Sequence, residues 1–586
     1  MRTLQKFLSV AALAAAIPGW VAAQDPSQTQ TQVPSDSQNQ SQVQNQNQNE
    51  NQNQPSAINQ VIDRIVAREQ QEITTLRQYT PLIETYIQDM RQDNQLGSVP
   101  EKDYYFLGTA YLNRGVVERS LLHGKEGKIQ KLNVFPKIGG WFTSGYVPEG
   151  FLQMIYIDTA GFNRQNYHFE YVRREFLGEV RCLVFDVIPM PHSGKGRFKG
   201  RVWVDDREYA VVRFNGIYTP EQRLTAVAVH FDSWRTNVGP GQWMPTYIYV
   251  QESDLKDFAF GHVSFKAQTR LWGYDLKHTG HQEEFSQLTV EAQSQIKDQA
   301  AQPADHAPIE AQRAWNRQAE QNVMDRLESA GLIAPTGEVD KVLETVVNNI
   351  EVTNNLDVQP EVHCRVLLTS TLESFSLGHT IVISRGLLDV LPDEASLATM
   401  LAHELGHVLL GRPLDSQWAF SDTVMFPVEE ALQHFNFHGN AGDEEIASKK
   451  AIELLKNSPY KDKLQSAGLF LKELDAQAKM LPGLISPHLG NRVYMSQELM
   501  TGAPQLQPAK LDQIAALPLG SRIKLDPWSD KVELVKAKPV NLLSEREKMP
   551  FEVTPFYPYL SRYVVPGSTA LPPDAAKPDV AKKDQQ

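Results

Sequence analysis

Two histidines four residues apart, with a glutamate beside the first, form the strongest chemical motif in the chain. They read His403-Glu404-Leu405-Gly406-His407, within an apolar helical period from Asp393 to Leu410. Residues i and i+4 share one face of a helix, so both imidazoles can bind the same Zn²⁺. Glu404 then lies beside the metal, where it can act as a general base toward a metal-activated water. The motif predicts a hydrolytic site with one Zn²⁺ per chain, and the alternative is a pair of core histidines bonded to backbone carbonyls.

A zinc site of this kind needs a third protein ligand and an open fourth position. A second helix is predicted to begin at Asp443, and Glu444 falls on its apolar face. A carboxylate on such a face is costly unless it is paired or binds a metal, so we predict Glu444 as the third ligand. The alternatives are Glu445, on a more polar face, and His434 or His438 in the aromatic stretch upstream.

Residues 330–495 resemble the gluzincin zinc metallopeptidases of the HtpX, BepA and CAAX-prenyl-protease family. The resemblance is carried by Thr380 to Leu410, which contains the motif, and by Glu444-Glu445-Ile446-Ala447-Ser448. The latter matches the family's Glu-x-x-Ala-Asp segment except at Ser448. The resemblance implies a zinc endopeptidase in which Glu444 binds the metal. In the family the aspartate orients a zinc histidine, so Ser448 is expected to weaken metal binding.

Two further segments correspond to parts of the same family. The family's His-Pro segment ending in Arg reads Ser486-Pro487-His488-Leu489-Gly490-Asn491-Arg492 here. The resemblance implies Arg492 as an electrostatic helper for the oxyanion and His488 as a second catalytic candidate, a surface role for His488 being the alternative. The family's Asn-Ala-Phe reads Glu373-Ser374-Phe375, and the strand Thr380–Ser384 is expected to be the edge on which an extended substrate lies.

The N-terminus predicts export. Residues 1–23 have the basic start, apolar run and small-residue end of a signal peptide, an uncleaved anchor being the alternative. Residues 24–56 are rich in Gln and Asn and are predicted to be a disordered spacer. After cleavage no apolar run is long enough for a transmembrane span. The expected location is the periplasm or cell envelope, or the protein is secreted.

A β-rich domain is predicted before the metallopeptidase part. One helix is followed by strands of which Val263–Leu271 is the clearest, with alternate residues suited to a solvent-exposed face. This layout resembles the half-open barrel of LolA and RseB lipoprotein carriers, an unrelated β-domain being the alternative. The predicted class is multidomain α+β: an antiparallel sheet or half-barrel, then a mainly helical zincin-type domain with a small edge-exposed sheet. The boundaries are 57–280 for the β-rich domain, 281–307 for a linker, 308–501 for the metallopeptidase domain, 502–565 for a β-like extension and 566–586 for a flexible tail.

The amino-acid composition excludes some classes of binding partner. Lys and Arg number 57 and Asp and Glu 70, so the net charge is 57 − 70 = −13, and no basic stripe suits nucleic acid. The only cysteines, Cys182 and Cys364, are expected to be buried free thiols, with a disulfide between the two units as the alternative. The leading hypothesis is an endopeptidase acting on extended polypeptides, including envelope proteins or lipoproteins. The alternative is a lipoprotein or lipid carrier, or a quality-control factor, whose protease-like domain is inactive or regulatory.

Overall fold

A long helix opens the described part of the chain. The computed structural model describes residues 40–94, 96–113, 117–122, 146, 148–219, 229–257, 261–276, 307–411, 419–420, 432, 435, 437, 440–507, 513, 516–538, 540–544, 547 and 549–564. Helix α1 (Gln40–Leu76) begins inside the tract predicted as a disordered spacer, so residues 40–56 of that tract are helical in the structure. The predicted signal peptide, spacer residues 24–39, nearly all of the linker and the tail lie outside the described residues.

Ten antiparallel strands follow α1 and form one sheet. They are β1 (Leu82–Asp93), β2 (Gly97–Tyr111), β3 (Val117–Ser120), β4 (Tyr167–Leu177), β5 (Val180–Pro189), β6 (Phe198–Asp205), β7 (Val211–Tyr218), β8 (Phe231–Gly239), β9 (Gln242–Asp257) and β10 (Gly261–Trp272), with helix α2 (Pro148–Gln153) between β3 and β4. The order in the sheet is β3-β2-β1-β10-β9-β8-β7-β6-β5-β4. Strand β1 pairs with β10 from Leu82↔Trp272 to Asp89↔Phe265. The predicted antiparallel architecture is therefore confirmed.

Other parts of the chain cover both faces of this sheet. On one face, Ile62 and Ile65 of α1 join a core with Ile83 of β1. On the other face, Lys266 of β10 is buried and forms an ion pair with Glu552. The prediction of a solvent-exposed face on β10 is wrong, because a C-terminal segment far away in sequence lies across those polar side chains.

The predicted metallopeptidase domain is mainly helical, as expected. Its helices are α3 (Pro308–Ser329), α4 (Glu338–Thr353), α5 (Arg385–Val390), α6 (Glu394–Leu410), α7 (Ala441–Lys456), α8 (Leu464–Gln477), α9 (Pro482–Ile485) and α10 (Gln497–Gly502), with a 3₁₀ turn at Lys461–Lys463. Strands β15 (Ile523–Leu525) and β16 (Val532–Leu534) form a C-terminal hairpin. Residues Gln60–Gln586 form one compact unit, and Cys182 and Cys364 are buried free thiols within it. None of the described helices has the length and apolar character needed to cross a bilayer.

A small four-stranded sheet lies among these helices. It contains β11 (His363–Leu367), β12 (Glu373–Leu377), β13 (Thr380–Ser384) and β14 (Asn491–Arg492), in the order β11-β13-β12-β14. The expectation that Thr380–Ser384 is the substrate-binding edge is wrong. That strand has β11 as a parallel neighbour and β12 as an antiparallel one, so its backbone groups are already paired on both sides.

Candidate metal centre

Helix α6 carries both motif histidines on one side. Its N-terminus is capped by Asp393, whose carboxylate accepts a hydrogen bond from the Ser396 backbone N–H at 2.8 Å. The helix ends at Leu410, and the next residue, Gly411, has a φ of 64°, in the left-handed region that favours glycine. The His403 and His407 side chains are 12% and 1% exposed. Asp393 and Gly411 thus fix where α6 begins and ends, and the motif lies in the second half of this helix.

Helix α7 supplies the third residue through a close contact with α6. Asn440 caps α7 by accepting a hydrogen bond from the Asp443 backbone N–H at 2.9 Å. A Cβ atom at Gly406 of α6 would lie only 2.7 Å from the carbonyl oxygen of Ala447 on α7. Glycine at position 406 is therefore required for this approach, which brings Glu444 up to the histidines.

The three side chains converge within metal-binding distance. Glu444 Oε2 lies 3.0 Å from His403 Nε2, and Glu444 Oε1 lies 3.3 Å from His407 Nε2. One ligand atom from each residue lies within 4.8 Å of the other two. Donors bound tetrahedrally at about 2.0–2.1 Å from Zn²⁺ are roughly 3.3 Å apart, so two imidazole nitrogens and one carboxylate oxygen fit this ion.

The surroundings of Glu444 keep its carboxyl group ionised. Burial alone would raise the pKa of this carboxyl, but the hydrogen bond to His403, the close contact with His407 and the positive charge of both rings lower the pKa to about 2. The group is thus held as a carboxylate, which is the form that binds a metal.

Glu404 lies beside these three residues and is almost completely buried, with 1% exposure. Burial raises the pKa of its carboxyl above the usual value, while the neighbouring histidines oppose that shift. Its Oε1 accepts a hydrogen bond from Ser374 Oγ at 2.6 Å. Among the described residues, its Oε2 has no hydrogen-bond partner. A buried acceptor oxygen without a partner is suited to accept a hydrogen bond from a water molecule bound beside the cation.

The comparison with protein families agrees with this geometry. Residues 334–437 match peptidase family M48. The matched segment contains the two histidines and Glu404 and ends before Glu444. It confirms the predicted relationship to metallopeptidases, and M48 peptidases are zinc-dependent. No curated protein matches the chain at a significant level.

Two solved structures are similar to the β-rich part. One is a LolA superfamily protein from Nitrosomonas europaea, with 13% identity, a TM-score of 0.20, and coverage of 36% of this chain and 90% of that one. The other is a putative outer membrane lipoprotein-sorting protein domain from Vibrio parahaemolyticus, with 13% identity, a TM-score of 0.14, and coverage of 34% and 88%. Both TM-scores are too low to argue from, and the comparison of the β-rich domain with lipoprotein carriers stays a prediction.

Within the described part of the chain, His488 does not contact His403, His407 or Glu444. The His488 Nε2 atom lies 3.0 Å from the carbonyl oxygen of Gly483, and its ring centroid lies 4.8 Å from that of Tyr105 on β2. Arg492 is exposed on β14, where it pairs with Glu373 in the β-ladder. Glu445 is exposed and forms an ion pair with Lys449 at 2.7 Å. The other alternative ligands, His434 and His438, lie outside the described residues.

Three residues near the site were missed by sequence reasoning. Ser374 donates a hydrogen bond to Glu404. The ring of Tyr494 stacks on that of His403, with the ring centroids 5.4 Å apart and the ring planes inclined by 12°. Glu373 is the third, and it binds the turn that leads into β14. Glu373 and Ser374 had a signal in the sequence, since both depart from the family's Asn-Ala-Phe pattern. Ser448, which departs from the family's Glu-x-x-Ala-Asp segment, is buried and lines a small cavity together with His403 and Tyr494.

Proposed function

We propose that this protein is a zinc-dependent endopeptidase that acts in the cell envelope. His403, His407 and Glu444 would bind one Zn²⁺, and Glu404 would act as the general base. The observation that carries the proposal is the convergence of three ligand atoms from two helices beside a buried carboxylate, one oxygen of which has no hydrogen-bond partner among the described residues. A site of three protein ligands leaves a fourth position open, as catalytic zinc sites require.

The residues divide the work of peptide hydrolysis. Bound zinc would supply Lewis acidity, polarising the scissile carbonyl and lowering the pKa of the attacking water. Glu404 Oε2 would take a proton from that water and then deliver it to the leaving amine nitrogen. Because Glu404 is 1% exposed, bulk water does not compete for its carboxylate.

The proposed substrates are extended polypeptides, including envelope proteins or lipoproteins. The signal-like N-terminus supports an exported location, in the periplasm or envelope or outside the cell. The alternative of a lipid or lipoprotein carrier has less support. In the part of the sheet that the structure describes, α1 and residues 151–157 pack on one face, and the C-terminal segment and the predicted metallopeptidase domain pack on the other.

Metal analysis and a casein-cleavage assay on the purified full chain test the proposal. We expect about one zinc per chain in the wild type. The Glu404→Gln variant should keep the zinc and lose cleavage by at least about 100-fold, because only the general base is removed. The Glu444→Gln variant should lose zinc, whereas the matched control Glu445→Gln on the exposed side of α7 should keep both zinc and activity. A wild type without zinc, or a fully active Glu404→Gln variant, would contradict the proposal.

A further inference from the structure

Strand β12 carries two buried polar side chains on its opposite faces. Glu373 is 0% and Ser374 is 6% exposed, and successive side chains of a strand point to opposite sides. On one side, Glu373 Oε2 accepts hydrogen bonds from the backbone N–H groups of residues 488–490, at 3.0, 2.9 and 2.8 Å. On the other side, the Ser374 hydroxyl donates to Glu404 Oε1 at 2.6 Å. One strand therefore binds both the turn before β14 and the candidate general base.

The position of the Ser374 hydroxyl is set by strands on both sides. In the β-ladders, Ser374 pairs with Ile383 of β13 and with Asn491 of β14. A residue in the middle of three paired strands has little freedom to move, and a serine hydroxyl has a single proton to donate. The hydroxyl is thus a fixed donor aimed at one oxygen of a carboxylate on a different element, α6.

This bond makes the two oxygens of Glu404 different. Oε1 is held by Ser374, whereas Oε2 is buried without a hydrogen-bond partner in the described part of the chain. The last torsion of a glutamate side chain is broad, so an unrestrained carboxylate would rotate and present either oxygen in many orientations. The hydrogen bond selects one orientation and leaves Oε2 to exchange a proton.

We propose that Ser374 is a positioning residue for peptide hydrolysis, which holds the Glu404 carboxylate so that Oε2 faces the attacking water. This inference rests on the function proposed above. Ser374 does not touch the substrate or the metal in this scheme. It acts through Glu404, and its removal should slow the chemical step without changing the binding of either zinc or peptide.

The first test is kinetic. Ser374→Ala should lower kcat by about tenfold or more, the range expected for a lost hydrogen bond to a charged group, with KM and zinc content unchanged. Ser374→Thr should recover most of the loss, because threonine keeps the hydroxyl and suits a strand. Ser458→Ala is a matched control, since Ser458 is also a buried serine, but its hydroxyl donates to the Leu455 carbonyl at 2.7 Å. The control should leave kcat unchanged, and an unchanged kcat in Ser374→Ala would overturn the inference.

The second test needs no activity. The apparent Tm of the zinc-loaded protein should fall on Ser374→Ala in the wild-type background and should not fall in the Glu404→Ala background. The Ser458→Ala control should lower the Tm equally in both backgrounds. Equal shifts for Ser374→Ala in both backgrounds would show that its hydroxyl does not hold Glu404. An inactive wild type would refute the proposed function and this role together, whereas an active wild type with an unaffected Ser374→Ala variant would refute this role alone.

Discussion

The carboxylate of Glu84 joins the ten-stranded sheet to the metallopeptidase part, and Glu84→Gln tests how much this joint contributes to stability. Glu84 on β1 is 2% exposed and accepts hydrogen bonds from Tyr105 Oη at 2.8 Å, Ser370 Oγ at 2.6 Å and the Ser370 backbone N–H. It also forms an ion pair with Arg385 at 2.9 Å, and that guanidinium is 1% exposed. Residues from both parts of the fold therefore depend on one buried negative charge.

The expected cost follows from the charge left behind. In Glu84→Gln, Arg385 would keep Asp389 as its one ion-pair partner among the described residues, at the longer distance of 3.7 Å. Breaking a buried pair by neutralising one member typically costs about 3–5 kcal/mol, because the other charge stays buried. A unit of roughly 500 residues has an unfolding entropy of about 1 kcal/mol per kelvin, so the predicted fall in apparent Tm is ~3–5 °C.

Differential scanning fluorimetry on the full chain measures this shift. The matched control is Glu498→Gln, which removes an exposed pair with Lys456 of the same 2.9 Å length and should leave the Tm within about 1 °C of wild type. The double variant Glu84→Gln/Arg385→Gln should lose less than the sum of the two single variants, because the unpaired charge is gone. If Glu84→Gln changes the Tm no more than the exposed control, the buried carboxylate does not stabilise the contact between the two parts.

Two further predictions concern other buried carboxylates. Glu373→Gln should lower the apparent Tm by about 2–3 °C and reduce casein cleavage at constant zinc content, because an amide cannot accept the three N–H groups of residues 488–490 as well as a carboxylate does. For Asp530, burial raises the pKa to about 8, with Asp526 and Asp275 adding to the effect. The folded state then binds more protons than the unfolded state, so wild-type stability should fall as pH rises from about 4 to about 8. Asp530→Asn keeps an acceptor for the Gly273 backbone N–H, which lies 2.8 Å from Asp530 Oδ1, and suits the positive φ of 55°. A thermal-unfolding series from pH 5 to pH 8 should show a flatter dependence and a higher Tm at pH 8 for the variant, and an equal slope would contradict this assignment.

The sequence alone determined the features that depend on residues close to one another along the chain. The two histidines and Glu404 lie within five residues, so the geometry of one helix sets their relation before any tertiary contact forms. The apolar face that marked Glu444 is likewise a local pattern within α7. The alternation of strands and the run of long helices predicted the α+β class because period 2 and period 3.6 are local properties of the chain.

The tertiary structure decided which distant residues meet. Glu444 reaches the histidines because Gly406 lets α7 approach α6, and Ser374 reaches Glu404 from a strand 30 residues upstream. The order of strands made Thr380–Ser384 an interior strand, and a C-terminal segment buried the polar side of β10. Strand order, register and the covering of a face arise from contacts between parts of the chain far apart in sequence. A local sequence pattern shows whether a face of a helix or strand is apolar or polar, but it does not show which other element of the fold packs against that face.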